Sequence, residues 1–221
     1  MFTQTKKKIH LIGCNYSDFF ELTIEGVELI SKSEIVILSK KFEETFTKTL
    51  LENSIEFFFE EDLSQIKGEP LWTKIKDLLK KYHTISHLYC GDPLLFNNGI
   101  KEIEFFKKND ITVDYSVGII ESMGIFNDHN DLLTNREKNS SVTFMKDFEF
   151  NKFTELIQSP GCQKLVLRIE DQACLEQLLK FTKSNSIKVK IYKNKKKKNE
   201  ENYKNLRISS TDDYIFIIIE L

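Results

Sequence analysis

Short apolar segments alternate with segments of helical periodicity along most of this chain, and this alternation constrains the fold more than any other feature. In the first half, helical spacing follows Leu22, and Pro70 opens another helix whose apolar residues Leu71 and Ile75 share one face. Strands that alternate with helices are joined by right-handed crossovers and form a largely parallel sheet. The other predicted elements of this half are strands at 8–12, 34–38, 55–59, 84–89 and 111–115, and helices at 42–51 and 98–109.

The second half of the chain repeats the alternation in a looser form. A break at Ser116-Val117-Gly118 separates the halves, so two α/β lobes are predicted, 1–116 and 117–221. The last segment, 214–220, is apolar on both faces, which predicts a strand with a neighbour on each side. The remaining predicted elements are strands at 141–145, 165–168 and 187–192 and helices at 151–158 and 171–183.

Composition excludes several classes of partner. With 32 Lys+Arg against 34 Asp+Glu, the net charge is -2, which favours neither nucleic acid nor an anionic membrane. The four cysteines are far apart and no histidines have metal-like spacing, so we expect reduced thiols in the cytoplasm and no metal. No segment is long and apolar enough to predict a signal peptide or a membrane span.

Two charged clusters are predicted to be solvated. Five lysines lie among residues 193–198, beside two glutamates; a hairpin loop is the favoured interpretation, and contact with a phosphate is the alternative. Glu60, Glu61 and Asp62 precede a polar segment and are expected to face water.

The segment 88–99 (LYCGDPLLFNNG) predicts a ligand site. An apolar strand candidate enters a turn at Gly91 and Asp92, and a helix candidate follows at once. At such junctions of α/β folds, the carboxyl end of a strand presents backbone polar groups to a ligand. By itself the segment fits an ordinary turn equally well.

Four blocks in order then carry a resemblance. They are IHLIGCNYSD leading to LTIEG (9–26), CGDPLLF (90–96), YSVGI (115–119) and LTNREKNSSVTF (133–144). Together they resemble the tetrapyrrole methylase family, and most closely its uroporphyrinogen-III C-methyltransferase branch with the precorrin relatives. The spacing from Gly91 to Gly118 matches the family pattern without a gap.

The resemblance implies a two-lobed α/β enzyme, commonly a homodimer, that binds S-adenosylmethionine between its lobes and methylates a ring carbon of a tetrapyrrole acceptor. It carries over two sets of residues. The implied donor-binding residues are Tyr16, Cys90, Gly91, Asp92, Leu95, Gly118, Ile120, Glu121 and Ile169. The implied catalytic or acceptor-facing residues are His87, Thr134 and Arg136.

Several of these positions have a second interpretation. His87 is either a group that handles a proton or a strand histidine satisfied by packing. Arg136 suits the carboxylates of a tetrapyrrole but is equally a surface arginine. Glu121 either bonds the donor or caps a helix, and Gly118 alone fits a hinge turn.

Ser39 is the main departure from the family pattern. It stands at the end of the second predicted strand, where the family has an acidic residue proposed as proton acceptor, and a hydroxyl cannot take that role unaided. Two alternatives therefore remain open: the same fold and donor with a peptide or RNA-linked acceptor, or an inactive homologue that binds the cofactor or a partner.

Overall fold

The computed structural model describes residues 6–15, 19–131, 133–134, 141–146, 149–158, 164–193, 196–198, 203, 206–208 and 214–220. The chain divides into two compact units, Met1–Glu121 and Ser122–Leu221. The predicted boundary lies slightly earlier, between Ser116 and Val117.

The first unit is built on a parallel sheet of five strands in the order β3-β2-β4-β1-β5. Its central strand β4 pairs with β1 from Lys8↔Thr84 to Cys14↔Cys90. The carboxyl ends of all five strands therefore meet at one edge. The strands are β1 Lys8–Cys14, β2 Ile35–Leu38, β3 Phe57–Phe59, β4 Thr84–Cys90 and β5 Thr112–Ser116.

Helices cover both faces of this sheet, which explains why β1 and β2 are buried on both sides. The helices are α1 Ile24–Ser31, α2 Glu44–Glu52, α3 Glu60–Leu63, α4 Glu69–Leu78 and α5 Gly99–Lys108. On one face Ile75 of α4 and Phe106 of α5 pack against the sheet, and on the other Ile30 of α1 and Phe46 of α2 do so.

The second unit contains a mixed sheet in the order β6-β7-β10-β8-β9. Its last strand, β10, pairs antiparallel with both β7 and β8, so the prediction that it has two neighbours is confirmed. The elements are α6 Glu121–Asp128, β6 Val142–Lys146, α7 Phe150–Ile157, β7 Lys164–Ile169, α8 Gln172–Ser184, β8 Val189–Lys193, β9 Lys196–Lys198 and β10 Ile215–Glu220.

The α/β class, with a parallel first sheet and a looser second one, is confirmed. The loop predicted over the lysine cluster is wrong in part. Lys196–Lys198 form β9, which pairs antiparallel with β8, because backbone hydrogen bonds to an existing edge strand outweigh the low strand propensity of lysine. In the described part of the chain, no helix has the length and apolar character needed to span a bilayer.

Candidate functional site

Three glycines meet at the carboxyl edge of the first sheet, and we call them the glycine junction: Gly13, Gly91 and Gly118. A Cβ atom added to Gly118 would lie 2.2 Å from the carbonyl oxygen of Gly91 and 2.6 Å from the carbonyl carbon of Gly13. A Cβ atom added to Gly13 would lie 2.4 Å from the amide nitrogen of Gly118. No side chain fits between these backbones, so the junction requires glycine at both positions.

Gly91 turns the chain at this junction. Its φ of 76° lies in the left-handed region, which glycine adopts without strain. Its amide donates a hydrogen bond of 2.7 Å to the carbonyl of Cys14, so the strand ends β1 and β4 stay paired into the turn.

Asp92 ties the following loop to the segment after β5. Its Oδ1 accepts a hydrogen bond from the amide of Leu94 at 2.8 Å, and its Oδ2 accepts one from the amide of Gly118 at 3.3 Å. The side-chain amide of Asn97 donates to the carbonyls of Cys90 and Asp92. Residues 91–98 are therefore organised by their own side chains; we call them the donor loop, after the donor-binding role that the family resemblance implies for Gly91, Asp92 and Leu95.

The LTIEG block has a structural role close to the junction. Thr23 is the N-cap of α1, where its hydroxyl accepts a hydrogen bond from the amide of Gly26 at 3.0 Å. The same hydroxyl lies 2.7 Å from the hydroxyl of Ser116 at the end of β5. The block thus joins the start of α1 to the strand that leads into Gly118.

The surface around the junction combines exposed apolar side chains with backbone polar groups. Val117 and Ile119 flank Gly118 and are each 54% exposed, and Leu95 of the donor loop is half-buried. Exposed apolar side chains beside backbone polar groups form the mixed lining that a flat base with a polar sugar requires. Within the described ranges, no group of three histidine, cysteine or acidic side chains is arranged to hold a metal ion.

His87 lies below this edge, inside the core between β4 and the helices. It is 2% exposed, and its Nδ1 lies 2.8 Å from Oε1 of the fully buried Glu102 on α5. Its Nε2 lies 3.1 Å from Oε1 of Glu60. The hydroxyl of Tyr89 also donates a hydrogen bond to Glu102. Both ring nitrogens of His87 are thus occupied by carboxylates, which favours the packing interpretation over a role at an acceptor.

Burial alone would lower the pKa of His87. The charge and hydrogen bond of Glu102, and those of Glu60, outweigh it and raise the pKa of His87 to about 10. Burial alone would raise the pKa of Glu60. The contacts with His87 and Lys67 have the larger effect, so the pKa of Glu60 lies below its ordinary value. Lys67 Nζ lies 3.7 Å from Glu60. The buried histidine is therefore an imidazolium between two carboxylates at neutral pH.

This proton predicts how stability depends on pH. The unfolded chain loses the His87 proton near its ordinary pKa of 6.5 and the folded chain keeps it to about 10, so the free energy of unfolding falls as pH rises through this window. Between pH 7.5 and 8.5 we expect a fall of about 1.4 kcal/mol in denaturant titrations. The variant His83→Asn, at an exposed histidine, should keep this slope, and a flat profile for the unaltered protein would contradict the assignment.

The prediction that the three adjacent carboxylates are solvated is wrong for Glu60 and holds only in part for Glu61, which is half-buried. Glu60 is 8% exposed and pairs with His87. Glu61 accepts hydrogen bonds from the hydroxyl of Ser39 at 2.7 Å and from the amide of Lys40 at 2.9 Å. Parallel pairing of β2 with β3 brings these residues to one edge, and no local sequence pattern reports that pairing. Asp62 remains at the surface, in an ion pair with Lys40.

The predicted donor-binding residues are only partly assembled by the described structure. Cys90 is the last residue of β4, Gly91, Asp92 and Leu95 lie on the donor loop, and Gly118 and Ile120 lie on the segment after β5. Ile169 is a buried residue at the end of β7 and Thr134 is an exposed one, both in the second unit. Tyr16, Arg136 and the side chain of Glu121 lie outside the described residues. Gly13 was not predicted as a site residue, although the first block contains it.

A parallel sheet whose carboxyl edge carries such a junction defines a ligand-binding α/β protein. Its family follows from the sequence. The model of the Tetrapyrrole (Corrin/Porphyrin) Methylases matches residues 8–181, and the chain belongs to that family. The resemblance predicted from the four blocks is confirmed.

Relatives and solved structures agree with this assignment. The chain is 25% identical over 154 residues to a uroporphyrinogen-III C-methyltransferase from Cyanidium caldarium; the match covers 68% of this chain and 61% of that relative, which is less than two thirds of its length. A Thermus thermophilus uroporphyrin-III C-methyltransferase complexed with S-adenyl homocysteine has a TM-score of 0.68 at 14% identity, covering 96% and 91% of the two chains. A cobalt precorrin-4 methyltransferase has a TM-score of 0.68 at 11% identity, covering 96% and 94%. At these identities the solved structures share the fold.

Proposed function

We propose that this chain is an S-adenosylmethionine-dependent methyltransferase that methylates a carbon of a uroporphyrinogen-III-like or precorrin-like tetrapyrrole. The glycine junction is the observation that carries the proposal, because it brings the donor loop and the segment after β5 together in the part of the chain that the family model matches. The relative named as a uroporphyrinogen-III C-methyltransferase supports the choice of acceptor.

The donor is held by the first unit in this proposal. Backbone groups of Gly91, Asp92 and Gly118 bond the polar parts of the nucleoside, and Leu95 and Ile119 pack against its base. The loop needs little rearrangement to bind, since Asp92 and Asn97 already bond its backbone. A preorganised loop loses less conformational entropy on binding, which strengthens affinity.

When bound, S-adenosylmethionine would supply the methyl group from its sulfonium to a carbon of the acceptor, and the acceptor would lose a proton to a base of the protein. Such a displacement depends chiefly on holding donor and acceptor in line. We propose Glu61 as the group that takes the proton. Its carboxylate is held at the end of β2 by the hydroxyl of Ser39, so an acidic group stands beside the position where the family has one. Thr134 and Arg136 are proposed to face the acceptor and its carboxylates.

Replacing Asp92 with alanine is expected to weaken donor binding at least several-fold, because the Leu94 and Gly118 amides lose the carboxylate that links them. Isothermal titration calorimetry with S-adenosylmethionine and S-adenosylhomocysteine measures the effect. The control Asp77→Ala removes a carboxylate whose partner is Lys80, on the exposed side of α4, and should bind the donor like the unaltered protein. If the unaltered protein binds neither compound, the proposed function fails.

A second candidate keeps the donor and changes the acceptor to a peptide or an RNA-linked group. Ser39 favours it, because a changed residue at the end of β2 indicates a changed acceptor side. Incubation with uroporphyrinogen III and S-adenosylmethionine, followed by absorbance and mass spectrometry, separates the two. Methylated product supports the tetrapyrrole, whereas donor binding without product favours the second candidate over the first.

A further inference from the structure

Two residues of β4 and one residue of α5 connect the two ends of the donor loop through the core. His87 and Tyr89 lie on β4 just before the loop, and both bond the carboxylate of Glu102, one turn into the helix that follows the loop. We propose that Glu102 is a positioning residue that sets the geometry of the donor loop through His87 and Tyr89, a group we call the loop clamp. The proposal rests on the function proposed above.

The start of α5 transmits its position directly to the loop. The amide of Gly99 donates a hydrogen bond of 3.1 Å to the carbonyl of Pro93. A Cβ atom added to Gly99 would lie 2.3 Å from the same carbonyl oxygen, so helix and loop backbones are in direct contact. A displacement of α5 along β4 would therefore move Pro93, and with it Asp92 and the bond to Gly118.

The chemistry of the clamp suits a role in alignment better than a role in stability alone. Glu102 is fully buried and is approached by two donors that sit two residues apart on one face of β4. Apolar side chains would pack α5 against β4 in several neighbouring registers, whereas a buried charge is satisfied in only one. The hydrogen bonds of the clamp thus select a single position of α5 relative to the strand.

Tyr89→Phe tests the clamp with little change of volume, because it removes the hydroxyl that donates to Glu102 and keeps the ring. We expect S-adenosylhomocysteine to bind about 5- to 20-fold more weakly by calorimetry, performed well below the melting temperature. We also expect faster hydrogen exchange at the amides of Leu94, Leu95 and Gly99, measured without ligand. A variant with the affinity and exchange rates of the unaltered protein would overturn the proposal.

Tyr82→Phe is the matched control. Tyr82 is a buried tyrosine of the same core cluster, but it precedes the amino end of β4 and its hydroxyl bonds Lys81. Tyr82→Phe should leave both donor affinity and hydrogen exchange of the loop unchanged. Equal effects of Tyr82→Phe and Tyr89→Phe would show that both loosen the core in general, and would overturn the clamp. Hydrogen exchange of the loop is measured without donor, so this measurement tests the clamp even if the unaltered protein does not bind S-adenosylhomocysteine. Such a failure to bind would refute the proposed function but not the clamp.

Discussion

Gly118→Ala is expected to weaken donor binding by about 100-fold or more and to lower the free energy of unfolding of the first unit by about 3 kcal/mol. The new methyl group would lie 2.2 Å from the carbonyl oxygen of Gly91, and the nearest atoms all belong to backbone. A flexible side chain can rotate away from such a contact, but here the backbone at Gly118 must move away from the ends of β1 and β4. Calorimetry with S-adenosylhomocysteine and denaturant unfolding measure the two effects.

Gly124→Ala provides the control for this substitution. Gly124 lies within α6, and among the described residues no atom beyond its chain neighbours and the backbone of its own helix lies within 4 Å of a Cβ atom built there. Alanine is the better helix former, so this variant should gain up to about 1 kcal/mol of stability and keep its donor affinity. If Gly118→Ala bound donor as well as Gly124→Ala does, the glycine junction would have no role in the site.

His87→Ala is expected to lower the free energy of unfolding by about 3–5 kcal/mol. The substitution removes the imidazolium and leaves Glu60 and Glu102 facing an apolar core without their shared cation. The loss of one partner from a buried ionic group lowers stability by far more than the intact group contributes to it, because the remaining charge keeps its desolvation penalty. Denaturant titration at pH 7 gives the value directly.

Two further variants separate this explanation from simple loss of packing. Ser86 precedes His87 on β4, on the opposite face of the strand, and its hydroxyl bonds the hydroxyl of Ser33. Ser86→Ala removes this neutral hydrogen bond and should lower the free energy of unfolding by about 1 kcal/mol. Replacing His87, Glu60 and Glu102 together with leucine should recover much of the stability lost in His87→Ala, because no charge remains to be desolvated. A stable His87→Ala protein that lost only turnover would instead identify His87 as a group that handles a proton.

Most elements of the fold were predictable because their signal is local. The helix after Pro70 has its apolar residues on one face, and it forms from Glu69 to Leu78. Strand β4 carries the apolar residues Ile85, Leu88 and Tyr89 before a glycine, and it forms from Thr84 to Cys90. Helix α6 was anticipated only as a helix that Glu121 could cap, with no end assigned, because its sequence contains Gly124 and only a weak apolar face.

The site residues likewise divide into those with a local sequence signal and those without one. Gly91 and Asp92 were predicted because glycine, aspartate and proline mark a turn wherever they occur together. Gly13 was left outside the predicted strand at 8–12, although it lies inside β1, and its need for glycine arises from Gly118, far away in sequence. The role of Glu102 had no local signal at all, because a glutamate in the first turn of a helix is ordinarily an exposed residue.

The amino-acid sequence by itself determined the α/β class, the order of most strands and helices and the turn at Gly91, since periodicity and turn chemistry depend on near neighbours. Only the tertiary structure decided that three glycines share one contact, that Glu61 lies against Ser39, and that His87 is an imidazolium between two carboxylates. These features depend on which strands pair and on what burial does to a charge. Both are properties of the packed chain rather than of any segment of it.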